Sequence, residues 1–435
     1  MNNSKDTIEP FEICSIRPPT ENYSLTFRLT RNCGWNRCIF CPVYKQGAKF
    51  SRRTIDDIKK DIDRAKRIYE IMLQQNIIVP YSVEESYHQA GLFIKEVESV
   101  SSYSEQSLDN TKKTMEKTQI SGDGDDDERV KWFASWFKEK PTIEDSVYHL
   151  ISWHFSGSET CFLGDANSLL VPSDMFTEIL GYIKEQFPTL RRFTIYGRTQ
   201  SAARMDIQDL MKMNHGGLNR IHFGLESGNN RVLQFMKKGV TAEEHIEACK
   251  KTREAGISCS VYVMPGLGGA QWSEEHGYET ARVLTLAQPE YVRLRSLEVF
   301  PNTVLSQKIK EGAFTEATEE DVVREIRTIV ASTDCETTIV SDSAANLLDV
   351  HGRLPRDRSS MLATIDRYLS LSQREKLEFS LFSRLQSFLG QYGHLSNDIL
   401  RAIGPYIQGN TIATEKISDG ELSAMIRLIR SKLMP

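Results

Sequence analysis

Short apolar runs alternate along this chain with amphipathic stretches of helical length. Strand-like runs of apolar and β-branched residues fall at 24–29, 160–163, 193–196, 220–224, 258–263 and 291–294. Between them, residues 54–74 place isoleucine and tyrosine at helical spacing, and residues 172–186 do the same. Residues 241–255 form the best delimited helix. Thr241 and Glu244 make a capping box, and Gly256 stands where a left-handed residue ends a helix. Strands alternating with helices imply a parallel sheet with right-handed crossovers. Six such units predict an α/β fold, a partial (β/α)6 TIM-like barrel, with a doubly wound sheet as the alternative.

Two stretches break the rhythm. Residues 79–148 read as an acidic helical insertion whose polar extreme is SGDGDDDE at 121–128. Asp123, Asp125 and Asp127 have the spacing of a calcium loop, but Glu128 stands where that loop needs glycine, so a solvated loop is expected. Residues 130–140 carry Trp132, Phe133, Trp136 and Phe137 on a helical pattern, an aromatic face expected to pack on the core. From about 315 the pattern is helical without clear strands. The expected organisation is an N-terminal extension (1–22), a barrel (23–310) carrying the insertion (79–148), and a C-terminal helical region (311–435).

Composition narrows the class only a little. Of 435 residues, 40% are hydrophobic and 26% charged, an ordinary globular balance. The net charge of -5 gives no global reason for a nucleic-acid partner. No apolar stretch is long enough to span a bilayer, and the opening MNNSKDTIEPFE lacks the apolar region of a secretion signal, so a cytoplasmic location is expected. Eight cysteines in a chain this long do not make a disulfide framework. Cys161 and Cys259 lie in apolar runs, as small buried hydrophobes do.

Three of the eight are different. Cys33, Cys38 and Cys41 fall within nine residues, C-x4-C-x2-C, directly after the first strand. Three close thiols can hold three irons of a [4Fe-4S] cube and leave the fourth open for a small molecule. A zinc site would need a fourth ligand, and no Cys or His lies near in sequence.

The run RNCGWNRCIFCPVYK resembles the cysteine loop of the radical SAM superfamily, in the branch related to coproporphyrinogen dehydrogenase and the Elongator-type proteins. The usual spacing there is C-x3-C-x2-C, one residue shorter. The resemblance runs over residues 23–305. Phe40 sits where the backbone of that residue meets the adenine of S-adenosylmethionine. Phe162-Leu163-Gly164-Asp165-Ala166-Asn167 lies where the family has its Gly-Gly-Glu motif. Gly164 fits it and Asp165 replaces the second glycine, the side chain adding charge for the amino group. Arg198, after the third strand, matches an arginine for the methionyl carboxylate. Gly224-Leu225-Glu226-Ser227-Gly228 resembles the fourth-strand G-x-E-S-G, implying that Glu226 and Ser227 face the ribose. The run from Val263 through Met264 and Gly266 to Gly269 resembles the segment under the adenine.

The resemblance implies a [4Fe-4S] cluster on the three cysteines, S-adenosylmethionine on the open iron, and a 5′-deoxyadenosyl radical that takes hydrogen from an unidentified small molecule or peptide. It also implies a reductant such as ferredoxin or flavodoxin. Tyr44, Tyr196, Tyr262, Cys259 and Cys335 are candidates for a second hydrogen donor, while His222 reads as a satisfied core histidine. The run from Ser341 to Leu348 resembles a recurrent segment of the same branch, expected to touch substrate at the barrel mouth or to close the core. The competing reading is an iron-sulfur or zinc protein with a degenerate, non-catalytic barrel. An RNA-modifying role is disfavoured by the acidic balance.

Overall fold

The computed structural model describes residues 8–14, 16–45, 49–105, 124–135, 140–408 and 411–433. All six anticipated strands form: β1 (Leu25–Arg28), β2 (Thr160–Gly164), β3 (Arg192–Gly197), β4 (Leu218–Glu226), β5 (Ser258–Val263) and β6 (Tyr291–Leu294). They pair in parallel and in chain order. A seventh parallel strand, β7 (Thr337–Val340), follows, and β8 (Gly352–Leu354) returns antiparallel to it. This sequential order excludes a doubly wound sheet, whose strand order must reverse at a switch point. β7 and β8 also correct the expectation that the chain after 315 lacks strands. Each is too short for a period of two to stand out from a helical pattern.

Helices α1 (Ile55–Gln74), α2 (Ser173–Gln186), α3 (Ile207–Gly216), α4 (Ala242–Glu254), α5 (Gly269–Ala287) and α6 (Glu319–Ser332) lie between the strands. Thr54 caps α1 by accepting from the Asp57 N–H. In α4 both halves of the Thr241–Glu244 capping box are made, and Gly256 takes φ +79° just past its end.

The two faces of the sheet are chemically distinct. Leu25, Phe27, Cys161, Leu163, Ile195, Phe223, Val261 and Leu294 join the apolar core under the helices. The alternate positions place Thr26 beside Phe162, Phe162 beside Thr194, Tyr196 beside His222, and Tyr262 beside Arg293. In-register neighbours on parallel strands share a face, so the second face is lined by polar and aromatic groups. Rings of Tyr196 and Tyr262, two strands apart, stand 6.3 Å between centroids. Neighbouring strands lie about 4.8 Å apart, so these side chains converge, as on the concave side of an open barrel. β1 and β8 do not pair. The free edge of β1 is covered instead: Cys14 N–H donates to Thr26 Oγ1 (3.2 Å) and Thr26 N–H to His149 Nε2 (3.0 Å).

In the insertion, helices span Val83–Glu105, Gly124–Ser135 and Ile143–Phe155. Residues 121–123 of the acidic run lie outside the described residues. From Gly124 the described chain is helical rather than the expected loop. Phe133 is buried against Phe300 (4.8 Å between centroids) and Trp132 meets Tyr392 edge-on (6.3 Å), so both belong to packing. Trp136 and Phe137 lie outside the described residues. Beyond the sheet, α7 (Gln373–Tyr392) and α8 (Asp419–Ser431) build a second apolar cluster around Leu381, Ile399, Leu422 and Ile429. Among the described residues no helix is long and apolar enough to cross a membrane.

Two buried histidines make the fold sensitive to acid. Burial holds His149 well below its ordinary value of 6.5. Burial first, then Lys238 and Arg198 nearby, push His245 down to about 3. Below about pH 6.5 the unfolded chain therefore takes up protons that the folded chain refuses. Their contribution to stability is intact above that pH and falls beneath it, by about 1.4 kcal/mol per pH unit for each histidine. Urea unfolding at pH 7 and pH 5 should show the decline, and His245→Gln should make it shallower by about one proton. An unchanged slope in the variant removes His245 from the account.

Candidate functional site

The cysteine loop leaves the C-terminal end of β1 through a two-stranded ribbon, Thr30–Arg31 against Ser51–Arg52. Asn32 N–H donates to Asp165 Oδ2 (3.0 Å), and Trp35 Nε1–H to the Lys237 carbonyl (2.8 Å). Ile39 is tied on both sides, its N–H to the Met236 carbonyl (3.1 Å) and its carbonyl to Leu305 N–H (2.9 Å). Asn32 and Asn36 take positive φ, 65° and 42°, which asparagine tolerates. The loop is thus fixed to β2, to the chain after β4, and to the chain after β6.

The three thiols are electrostatic neighbours. Burial pushes Cys41 up to about 11, with Cys38 and Cys33 adding to the shift. Burial also raises Cys38, while Lys238 and Arg198 pull it back. Two cations beside a thiol trio suit an anionic thiolate-bound cluster. Among the described residues no three His, Cys, Asp or Glu side chains stand already gathered as a ligand set. The donor chemistry fits a cluster, and the sulfurs are neighbours rather than a closed cage.

Asp165 is a hub of protein contacts. Its Oδ2 accepts from Arg28 Nη2 (2.7 Å) and Asn32 N–H, and its Oδ1 accepts from Tyr44 OH (2.8 Å), with the Cys14 thiol at 3.7 Å. The Cys14 thiol has one proton and a shorter acceptor in the Ile16 carbonyl (3.1 Å), so Asp165 fastens the cysteine loop and keeps acceptor capacity for a further donor. The Gly164 carbonyl accepts from Leu29 N–H (2.5 Å). A Cβ on Gly164 would lie 2.2 Å from Cys14 Sγ, so glycine is required there by packing.

Glu226, at φ 65° on the end of β4, accepts from Lys238 Nζ (2.9 Å). Burial works against the Lys238 charge, but Glu226 and then Cys38 hold it above its ordinary value. Arg198 donates to the Lys238 carbonyl (2.6 Å) and lies over the Trp35 ring, 4.8 Å from its centroid. Ser227 is fully buried and accepts from Asn229 N–H (3.0 Å), a turn leading into the helix Asn230–Phe235 rather than an open polar contact. Phe40 and Met264 share one apolar cluster with Leu297 and Leu305. Gly266 N–H donates to Glu325 (2.6 Å), and Glu325 also meets His276 Nδ1 at 3.0 Å.

Glu226, Lys238 and Arg198 lie beside the cysteine loop, which itself carries Phe40, whereas Ser227 and Gly266 serve turns and internal bonds. Lys238 went unnoticed in the sequence because nothing in its spacing marks a partner for Glu226. Gly239 was missed too. Its φ is +69°, and a Cβ there would lie 2.1 Å from the Trp35 ring. Gly239→Ala is expected to cost about 2–3 kcal/mol through overpacking and the left-handed backbone. Urea unfolding checks this; an unchanged midpoint and slope would mean that Trp35 is not rigidly docked.

The remaining candidates separate by position. Tyr44 donates to Asp165 near Cys33. Tyr196 and Tyr262 lie on the polar face. Cys259 is buried in the apolar core, and Cys335 precedes β7, at the opposite end of the strands from the cysteine loop. His222 is wholly buried; among the described residues neither ring nitrogen has a close hydrogen bond, and Glu21 stands at 3.8 Å, a looser partner than a satisfied core histidine was expected to have. In the 341–348 segment, Asn346 accepts from Ser296 N–H (2.9 Å) and Asp342 pairs with Arg293.

Residues 131–280 match the family model described as Radical SAM superfamily, a span that takes in β2 to β5. The resemblance to that superfamily is thus supported over about a third of the chain, a span that does not reach the cysteine loop. The tRNA uridine(34) acetyltransferase of Methanocaldococcus jannaschii is 24% identical over 119 residues, 27% of this chain and 21% of that protein. The chain thus spans about a fifth of that curated relative's length. Among solved structures, Elp3 of Methanocaldococcus infernus, with residues 1–46 deleted, is 17% identical with a TM-score of 0.37, covering 49% of this chain and 54% of that one. Coproporphyrinogen III oxidase (HemN) of Escherichia coli is 12% identical with a TM-score of 0.35, covering 62% and 77%.

Proposed function

We propose that the chain is a radical SAM enzyme, with a [4Fe-4S] cluster held by Cys33, Cys38 and Cys41 and S-adenosylmethionine beside it. The observation that supports it most is the placement of those thiols on one loop at the C-terminal end of β1, next to Lys238 and Arg198. Reduced by an external carrier such as ferredoxin or flavodoxin, the bound cluster supplies the electron that splits the cofactor into methionine and a 5′-deoxyadenosyl radical, which takes hydrogen from a small-molecule or peptide substrate. The protein's share is binding and orientation. Arg198 suits the methionyl carboxylate, its fork shared with the Lys238 carbonyl. Glu226 suits the ribose hydroxyls, one of its oxygens already bonded to Lys238 Nζ. Phe40 and Met264 offer the apolar wall an adenine needs.

The test is anaerobic reconstitution with iron and sulfide, followed by S-adenosylmethionine and dithionite. A [4Fe-4S] absorption and EPR signal with 5′-deoxyadenosine as product is expected; its absence from the wild type overturns the reading. The second reading, a non-catalytic iron-sulfur or zinc protein, draws on the engagement of Asp165 and Ser227 by protein groups. It predicts metal without 5′-deoxyadenosine.

A further inference from the structure

Among the cavities the roles assigned so far leave unused, one lies on the open side of the sheet. It has a volume of about 630 Å³ and lies among residues 19–23, the end of β5, the chain after β6 and β7, and α7. That is the size of a small-molecule pocket. Its charged groups are unevenly partnered. Arg293 is taken by Asp342 and by Thr20 Oγ1 (3.2 Å), and Asp349 at the rim pairs with His351 (2.9 Å). Arg295 is half-buried and lines the cavity, and among the described residues its guanidinium has no carboxylate and no hydrogen-bond acceptor. The Tyr262 hydroxyl, on a side chain only 7% exposed, lines the same cavity beside the Tyr196 side chain and has no close hydrogen bond among the described residues. None of the Arg295 nitrogens is both buried and unpartnered, so water solvates the fork and a ligand anion can take that water's place. The rest of the lining is amides and hydroxyls such as Ser343, Gln386 and Gln391.

We propose that this cavity holds the substrate, and that the substrate is a small anionic molecule. Its carboxylate or phosphate pairs with the Arg295 fork and accepts from Tyr262 OH, while the serines and amides of the wall meet its other polar groups. The position suits the chemistry. From Tyr262 a row of rings runs through Tyr196 (6.3 Å) to Phe162 (5.2 Å), on the same face of β2 as Gly164, where the cysteine loop is fastened. Calling the ligand a substrate rests on the radical SAM reading; the anion site itself does not.

Isothermal titration of the full chain tests it, using succinate and glycerol 3-phosphate against succinamide and glycerol at low ionic strength. An anion should bind about tenfold or more tightly than its neutral counterpart, and Arg295→Gln should remove most of that preference. Arg295→Lys, which keeps the charge and loses the fork, should retain part of it. Arg401→Gln, on an exposed helix, serves as the unaffected control. Which anion is preferred separates a carboxylate substrate from a phosphorylated one. Arg295 makes no side-chain bond within the described residues, so its variants should melt as the wild type does. If Arg295→Gln melts early, Arg295→Lys and the neutral analogues carry the decision. Equal binding of neutral analogues, an unaltered preference in the variants, or no binding by either anion overturns the proposal. The titration needs no dithionite, so its failure leaves the cleavage assay independent, and the reverse holds as well.

Discussion

Cys33→Ala, Cys38→Ala and Cys41→Ala are each expected to lose stoichiometric iron and to lower S-adenosylmethionine cleavage about a hundredfold or more. A ligand set of three leaves no spare thiolate, and even outer-shell changes at metal sites cost about 10–100-fold. Loss should be similar at all three positions, because the loop is held on both sides of Ile39 and at Trp35 and cannot slide to present a substitute. Cys335→Ala is the natural control, since that thiol lies at the other end of the strands. Iron per chain and 5′-deoxyadenosine per minute are the two readings. A variant of the triplet that keeps full iron and full cleavage removes its cysteine from the ligand set.

Asp165→Ala is expected to destabilise the chain by about 3 kcal/mol. Breaking a buried ion pair generally costs about 3–5 kcal/mol, because the surviving charge stays buried. The lower end applies here, since Arg28 keeps a second carboxylate, Glu12, at 3.8 Å. Tyr44 OH and Asn32 N–H also lose their acceptor, and with them the cysteine loop loses its tie to β2. Asp165→Asn keeps an acceptor oxygen and should fall between. Urea unfolding measures the loss, and iron content after reconstitution should fall with it. Wild-type stability in Asp165→Ala would show that the hub carries no net energy.

Much of the architecture was legible because period and punctuation agreed. Thr241, Glu244 and Gly256 bounded α4 correctly, and the six strand runs were found where β-branched residues met turn signals. β7 was not legible: four residues, Thr337 to Val340, are too few to carry a period. The site was legible in outline and not in its bonds. A triplet of cysteines announces itself by spacing, whereas the engagement of Asp165 depends on where Arg28, Asn32 and Tyr44 arrive in space. Ser227 illustrates the same limit. Its place in a glycine-flanked motif suggested an open polar contact, yet a neighbouring N–H claims the hydroxyl. Arg295 lies between strand and loop with no motif around it, and only the cavity gives it meaning.

The pairing of Leu25 with Cys161 joins strands that the whole insertion separates in the chain, whereas Ser260 and Tyr291 pair across about thirty residues. Closing a longer loop costs more entropy, and contacts distant in sequence form late. β2 to β7 can therefore assemble as a curved half-shell before β1 arrives. The cysteine loop travels with β1, so its three thiols are expected to reach their place last. On the proposed function, loading of a cluster would then wait on the closing of the fold.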